Sequence, residues 1–282
     1  MNSSTLTSNL YCVMGNPVAH SRSPAIHARF AELAGQQLRY ERRLIPLDGF
    51  AQGVRDFIAE GGRGCNITVP FKLQAADLAD TRSARVQLAG AANTLVFANG
   101  QIHADNTDGL GLVADITRNA GVALQGARLL LVGAGGAAAG VLGPLLQAGV
   151  RHITIANRTV AKAEALVASH SALAALQKAE LLALSPQAVE GDFDVIINAT
   201  ASSLAGDAVP VPASVLRPGS LAYDMMYGPA AQGFLDWAQA HGAVARDGLG
   251  MLVEQAAEAF AIWRGVRPPS AQVLEELRRA PH

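Results

Sequence analysis

The most constraining stretch of the chain is Leu129-Leu130-Leu131-Val132-Gly133-Ala134-Gly135-Gly136-Ala137-Ala138. Four apolar residues in a row suit a strand buried on both faces, and they run directly into the pattern G-x-G-x-x-A. The first glycine permits a tight turn and the second lets a pyrophosphate approach the backbone. A small third residue, Ala138, lets the following helix lie close against the sheet. That helix would aim its N-terminal amides and the positive end of its dipole at phosphate. Residues 129–150 carry no charge but hold six glycines and Pro144, so they read as strand, turn and helix. A membrane span would need about 20 residues of unbroken helix. A chain built on this feature is an α/β dinucleotide binder.

The next strand selects the dinucleotide. An NAD site would offer Asp or Glu to the ribose 2′-hydroxyl about 20 residues further on. Here Ile153-Thr154-Ile155 runs into Ala156-Asn157-Arg158-Thr159, with Lys162 close behind. A carboxylate would repel a 2′-phosphate, whereas a guanidinium, a hydroxyl and an ammonium pair with it. The expected cofactor is NADP(H).

Other ligand classes recede on composition. In 282 residues, Lys and Arg number 22 and Asp and Glu 23, a formal net charge of −1. That leaves no electrostatic surplus for nucleic acid. The only cysteines, Cys12 and Cys65, lie in apolar-alternating stretches and read as buried free thiols. The N-terminal MNSSTLTSNLY has neither a basic nor an apolar segment, so no secretory signal is read and a cytoplasmic location is the expectation. His20 and His27 have no carboxylate–histidine spacing around them that would suit a metal, and none is expected.

Strand and helix signals alternate from the start. An apolar run at 10–14 leads to a polar loop, then to Ser23 as N-cap and Pro24 at the first helical position. Ile26, Phe30 and Leu33 share one face of that helix. A strand at 38–47 and a helix with Val54, Phe57 and Ile58 on one side follow. Next come a strand into Asn66–Pro70, a helix from Phe71 and strand 93–97. Asn99-Gly100 is a hairpin turn into 102–104. A helix at 109–120 precedes strands at 129–132, 152–156, 194–198 and 220–224, with helices at 136–148 and 159–170 and segment 172–190 unassigned. Residues 250–265 read as a helix stacking Leu252, Ala256, Ala259 and Trp263 on one face, with Glu254 and Glu258 elsewhere. Ser270 caps the last helix. Such alternation implies a parallel sheet covered by helices.

A dinucleotide fold leaves the activity to the polar residues outside it. Polar clusters end the apolar runs at Ser21 and Ser23, at Asn66, Thr68 and Lys72, at Asn93, and at Asp105 to Asp108. The segments concerned are Gly15-Asn16-Pro17 to Pro24, Asn66 to Lys72, Gly90 to Thr94 and Asn106-Thr107-Asp108-Gly109. Gly133 to Ala138, Asn157-Arg158-Thr159, Tyr223-Asp224 to Tyr227, and Gly248 to Gln255 continue the series. In this order, over nearly the whole chain, they resemble the shikimate dehydrogenase family.

The resemblance implies two α/β domains. A substrate-binding domain would comprise 1–107 and 249–282, a Rossmann-type NADP domain 108–248, with the active site in the cleft between them. The implied reaction is reversible NADPH-dependent reduction of 3-dehydroshikimate to shikimate, an oxidoreductase step of aromatic amino-acid biosynthesis. Ser21 and Ser23, with Tyr227, would bind the substrate carboxylate. Thr68, Asn93, Asp108 and Gln255 would hold ring hydroxyls, with Asn66 beside them, and Lys72 and Asp108 would form the catalytic pair. The cofactor would meet Gly133, Ala134, Gly135, Gly136, Ala137 and Ala138, then Asn157, Arg158, Thr159 and Lys162, and also Thr200, Met225, Gly248 and Met251. The implied partner is a small molecule, with neither nucleic acid nor membrane, and the chain a monomer or homodimer. Two alternatives stay open: a quinate/shikimate dehydrogenase using NAD as well as NADP, and a non-catalytic NADPH-binding module. The sequence departs from the family at Ala139, commonly Arg, and at Ala201-Ser202-Ser203.

Overall fold

The computed structural model describes residues 9–200 and 209–279; residues 1–8 of the N-terminal polar segment and Ala201-Ser202-Ser203 lie outside them. The chain divides into two compact units. One runs to Thr107 and resumes at Gln255; the other is Asp108–Glu254.

The first unit alternates strand and helix: β1 (Leu10–Gly15), α1 (Ser23–Leu33), β2 (Arg39–Leu44), α2 (Phe50–Ala59), β3 (Gly62–Ile67), α3 (Lys72–Leu78), β4 (Thr81–Arg82), α4 (Ala84–Ala89), β5 (Thr94–Ala98) and β6 (Gln101–Asp105). The sheet order is β2-β1-β3-β5-β6-β4. β1 lies parallel to β2 and β3, while β5 is antiparallel to β3 and β6. The hairpin turn falls where expected: Asn99 and Gly100 have φ of 54° and 73°, the pair of positive values that a two-residue turn of matching twist requires. Cys12 and Cys65 are free thiols, wholly buried, and face each other as register partners.

Three sequence expectations shift in this unit. Ser23 is the first helical residue of α1 rather than its cap; the N-cap is Arg22, whose side chain makes no capping bond. The hydroxyl that bonds the Ser23 amide is that of Ser21, at 3.3 Å, so the cap function moves upstream. On α2, Val54 and Phe57 are buried but Ile58, one position on from Phe57, is exposed. Leu33 is only half-buried.

The second unit opens with α5 (Asp108–Ala114), continued by a π-helical turn at Asp115–Asn119. It then alternates β7 (Arg128–Val132), α6 (Gly136–Gln147), β8 (His152–Ala156), α7 (Val160–Gln177), β9 (Glu180–Leu184), β10 (Val195–Asn198), β11 (Leu221–Asp224), α8 (Gln232–Ala240) and β12 (Val244–Arg246). Every pairing is parallel, in the order β12-β11-β10-β7-β8-β9. Written from β9, that is the doubly wound order, which reverses direction between β7 and β10. The uncharged run of β7 follows from burial on both faces. Leu129 and Leu131 pack into one core with Ile153, Ile155 and Val195, and Leu130 and Val132 into another with Ile196 and Ala222. The unassigned segment 172–190 holds the end of α7 and all of β9.

Two helices close the chain, α9 (Leu249–Arg264) and α10 (Ser270–Arg279). The unit boundary falls inside α9. In the first unit Trp263 Nε1 donates to the Leu95 carbonyl at 3.0 Å, and α10 is tied to α1 by two 2.8 Å bonds from Arg29 to Glu276. Glu254, placed off the buried face by periodicity, is in fact buried, because Arg118 and Asn119 meet its carboxylate at 3.2 and 3.1 Å.

Candidate active site

In the first unit the expected polar residues gather at the C-terminal ends of β1 and β3 and at the start of β5. β3 ends at Ile67, so Asn66 is its penultimate residue. Thr68 follows, and Lys72 is the first residue of α3. Thr68 is drawn against β1: its amide bonds the Met14 carbonyl at 3.0 Å, and a Cβ on Gly15 would sit 2.3 Å from its methyl group. Only glycine allows that approach.

A continuous hydrogen-bond net joins most of these residues. Tyr40 donates to Asn66 Oδ1 at 2.8 Å, with Ser23 beside its phenol. Asn66 Nδ2 donates to the Asn93 carbonyl and to Thr94 Oγ1, at 3.3 and 3.2 Å. Thr94 donates to Asn93 Oδ1 at 2.8 Å, and Asn93 Nδ2 donates to Thr107 Oγ1 at 2.9 Å and to Gln255 Oε1 at 3.2 Å. Both amide hydrogens of Asn66 are therefore used inside the protein, and it can offer a ligand only an acceptor lone pair. Tyr40 and Thr94 are members of the net that no local pattern marks out. The Asn66–Tyr40 pairing leaves no trace in the order of residues, because the two lie on different strands.

In the first unit, segment Ala92-Asn93 bonds both the Lys72 carbonyl and Thr107. The Lys72 carbonyl accepts from the Ala92 amide at 2.8 Å; the next residue, Asn93, accepts through its side chain from the Thr107 amide at 2.8 Å, and Thr107 precedes Asp108. Asp108 is buried and opens α5; Lys72 is half-buried.

In the second unit the glycine turn has the geometry that a dinucleotide needs. Gly133 has φ of 110°, and a Cβ there would lie 3.1 Å from the Ala199 carbonyl and the Thr200 methyl, so the turn at the sheet's switch point accepts no side chain. Gly135 is the N-cap of α6 and supplies no side-chain bond, which leaves the first amides of the helix open to phosphate. Ala138 is fully buried against the sheet. Asn157, Arg158 and Thr159 follow β8 directly. Arg158 is exposed and has no partner among the described residues, and Thr159, the N-cap of α7, makes no capping bond through its hydroxyl. No carboxylate stands in this turn. The residues fit a 2′-phosphorylated dinucleotide, with Lys162 on the first turn of α7.

Of the remaining expected residues, Thr200, Met225 and Tyr227 lie on loops at the carboxyl ends of β10 and β11, and Gly248 and Met251 lie just before and on the first turn of the helix that begins at Leu249. Thr200 donates to Asn198 Oδ1 at 2.7 Å, and Asn198 donates to the buried Asp224 at 3.1 Å. Asp224 accepts from the Met226 amide at 2.8 Å, between Met225 and Tyr227. The Gly248 amide bonds the Met226 carbonyl, and a Cβ on Gly248 would lie 2.3 Å from the Met225 carbonyl oxygen. Met251 is buried on the first turn of α9.

A doubly wound unit with an open helix N-terminus and a cationic turn, coupled to a unit rich in hydrogen-bonding groups for a small polar ligand, defines a nicotinamide-dinucleotide oxidoreductase. Known proteins agree with that class. Residues 13–95 match the shikimate dehydrogenase substrate binding domain, residues 115–205 the shikimate / quinate 5-dehydrogenase family, and residues 248–278 the shikimate 5′-dehydrogenase C-terminal domain. The shikimate dehydrogenase (NADP(+)) of Acidovorax sp. (strain JS42) is 78% identical over 276 residues, 98% of each chain. Among solved structures, an Ael1 enzyme from Pseudomonas putida superposes with a TM-score of 0.88 at 48% identity, covering 96% of this chain and 98% of that one. Shikimate 5-dehydrogenase from Thermus thermophilus, solved with NADP(H) and shikimate, gives 0.82 at 32% identity, covering 96% and 99%. The chain belongs to the shikimate dehydrogenase family.

Proposed function

We propose that the chain catalyses the reversible NADPH-dependent reduction of 3-dehydroshikimate to shikimate, with Lys72 and Asp108 as its catalytic residues. The observation that carries this reading is the convergence of Tyr40, Asn66, Asn93, Thr107 and Gln255 on one hydrogen-bonded net in the first unit. Bound NADPH supplies a hydride to the carbonyl carbon. As negative charge grows on the carbonyl oxygen, the Lys72 ammonium stabilises it and donates the proton that makes it a hydroxyl. Asp108 orients the ammonium and accepts a hydrogen bond from the neighbouring ring hydroxyl. Ser21 and Ser23 donate to the substrate carboxylate together with Tyr227, while Thr68, Asn93 and Gln255 fix the ring and Asn66 accepts.

On the cofactor side, the amides of Gly135 to Ala138 hold the pyrophosphate and Arg158, Thr159 and Lys162 the 2′-phosphate, beside Asn157. Thr200, Met225, Gly248 and Met251 flank the nicotinamide. The first unit is the substrate domain and the second the NADP domain, acting in the cytoplasm as a monomer or homodimer.

The test is a steady-state assay with shikimate and quinate, each with NADP and with NAD, on the native chain and on Lys72→Ala. Native turnover is expected to favour shikimate and NADP. Lys72→Ala should lower kcat by roughly 10²–10⁴, the range for a lost general acid, with KM nearly unchanged. A variant that keeps its kcat and loses only affinity makes Lys72 a binding residue and overturns the mechanism.

A further inference from the structure

Strand β2 sorts its charges by face. Arg39, Glu41 and Arg43 alternate along one face and neutralise one another: Arg39 bonds Glu41 at 2.8 Å, and Arg43 is paired with both Glu41 and Glu60. Tyr40 and Arg42 point the other way. Tyr40 donates to Asn66, so this is the face that serves the polar net. Arg42 forms no ion pair with any described residue. Instead its Nε and Nη2 both donate to one neutral acceptor, the Ser21 carbonyl, at 2.9 and 2.7 Å.

That arrangement does two things at once. The fork pins the backbone of Ser21, whose hydroxyl already accepts the Ser23 amide at 3.3 Å and so keeps its own hydrogen for an outside acceptor. It also leaves a full positive charge uncompensated beside the two serines, in a protein whose overall charge is −1. We propose that Arg42 determines specificity for the anionic end of the substrate, holding the Ser21–Ser23 turn and supplying the charge that favours a carboxylate over a neutral group. The inference rests on the assignment of Ser21 and Ser23 to the substrate carboxylate. Arg42 is exposed, so its field is screened by salt and acts on affinity rather than on the chemical step.

The experiment compares the native enzyme with Arg42→Met and Arg42→Lys, using shikimate and its uncharged carboxamide. Each protein is assayed at low and high salt, and its melting temperature is recorded. Arg42→Met should raise KM for shikimate about fivefold, the scale of one exposed charge contact, and leave kcat, KM for NADP and the melting temperature unchanged. Its KM for the carboxamide should rise less than for shikimate, and the salt dependence of kcat/KM for shikimate should flatten. Arg42→Lys should fall between the two, keeping the charge without the fork. An unchanged KM for shikimate in Arg42→Met, or an equal rise for acid and amide, overturns the proposal. Failure of the native chain to oxidise shikimate would instead remove the assigned activity, a separate result.

Discussion

Asp115 stays ionised although it has no exposed surface, because four donors surround its two oxygens. Arg246 donates through Nε and Nη2 at 2.8 and 2.6 Å, Tyr223 at 2.8 Å and Asn119 at 2.9 Å. Burial pushes its pKa upward, but the bonds from Arg246, Asn119 and Tyr223 outweigh that and hold it below the usual carboxylate range. Gly250, on the first turn of α9, packs so closely that a Cβ would lie 1.9 Å from Asp115 Oδ1. The buried carboxylate therefore seats the turn that carries Met251. Asp115→Ala should cost about 3 kcal/mol in urea unfolding, the low end for breaking a buried ion pair, since Arg246 keeps some access to water. A loss near zero would mean that the cluster stabilises nothing. The pattern of residues 109–120 suggested only a helix; the partner of Asp115 lies 131 residues away.

Among the elements, β3 carries the heaviest demands. It must present Asn66, Thr68 and Lys72 at its end while pairing with β1 on one side and β5 on the other. Gly64 allows this: a Cβ there would fall 2.5 Å from Trp263 Nε1 and 2.6 Å from the Leu95 carbonyl oxygen, displacing the indole that donates to Leu95. Gly64→Ala should therefore destabilise by about 1–3 kcal/mol, the overpacking range. It should also raise KM for the substrate, because the β3–β5 register aligns Asn66 with Thr94. Unchanged stability in urea titration would show that Trp263 gives way freely. The α9 helix shows the same dependence on tertiary partners. Its periodicity put Glu254 off the buried face, yet the π-helical turn supplies Arg118 and Asn119, and their bonds offset the loss of water around the carboxylate.

Across the whole molecule, the response to acid should be dominated by His27. It is fully buried, stacked on Tyr40 with ring centroids 4.2 Å apart, and neither ring nitrogen has a hydrogen-bond partner among the described residues. Burial lowers its pKa from 6.5 to about 3. Because the unfolded chain binds this proton more readily than the folded one, stability from this group is complete above pH 6.5. It is lost progressively as pH falls toward 3, a span worth about 5 kcal/mol. His27→Phe keeps the stacking and should flatten the stability curve across that window, measured by urea unfolding at successive pH values. An undiminished slope would assign acid lability to other groups. Asp115, with its lowered pKa, adds a loss in the same direction in stronger acid.

Local chemistry was legible in the order of residues: the β7–Gly133–α6 unit, the Asn99-Gly100 turn and the cationic end of β8 all followed from patterns spanning a few positions. The candidate set from Ser21 to Gln255 is instead what the resemblance of the ordered segments to one family implies. Turn geometry and apolar periodicity act between near neighbours, and the sequence records near neighbours directly. The fold alone decided that Tyr40 bonds Asn66, that Gln255 meets Asn93 across 162 residues, that Arg42 clasps Ser21 and that β9 fills an ambiguous segment. A buried polar group must satisfy its hydrogen bonds with whatever packing brings within about 3 Å, and in each of these pairs the partner comes from another element of the fold.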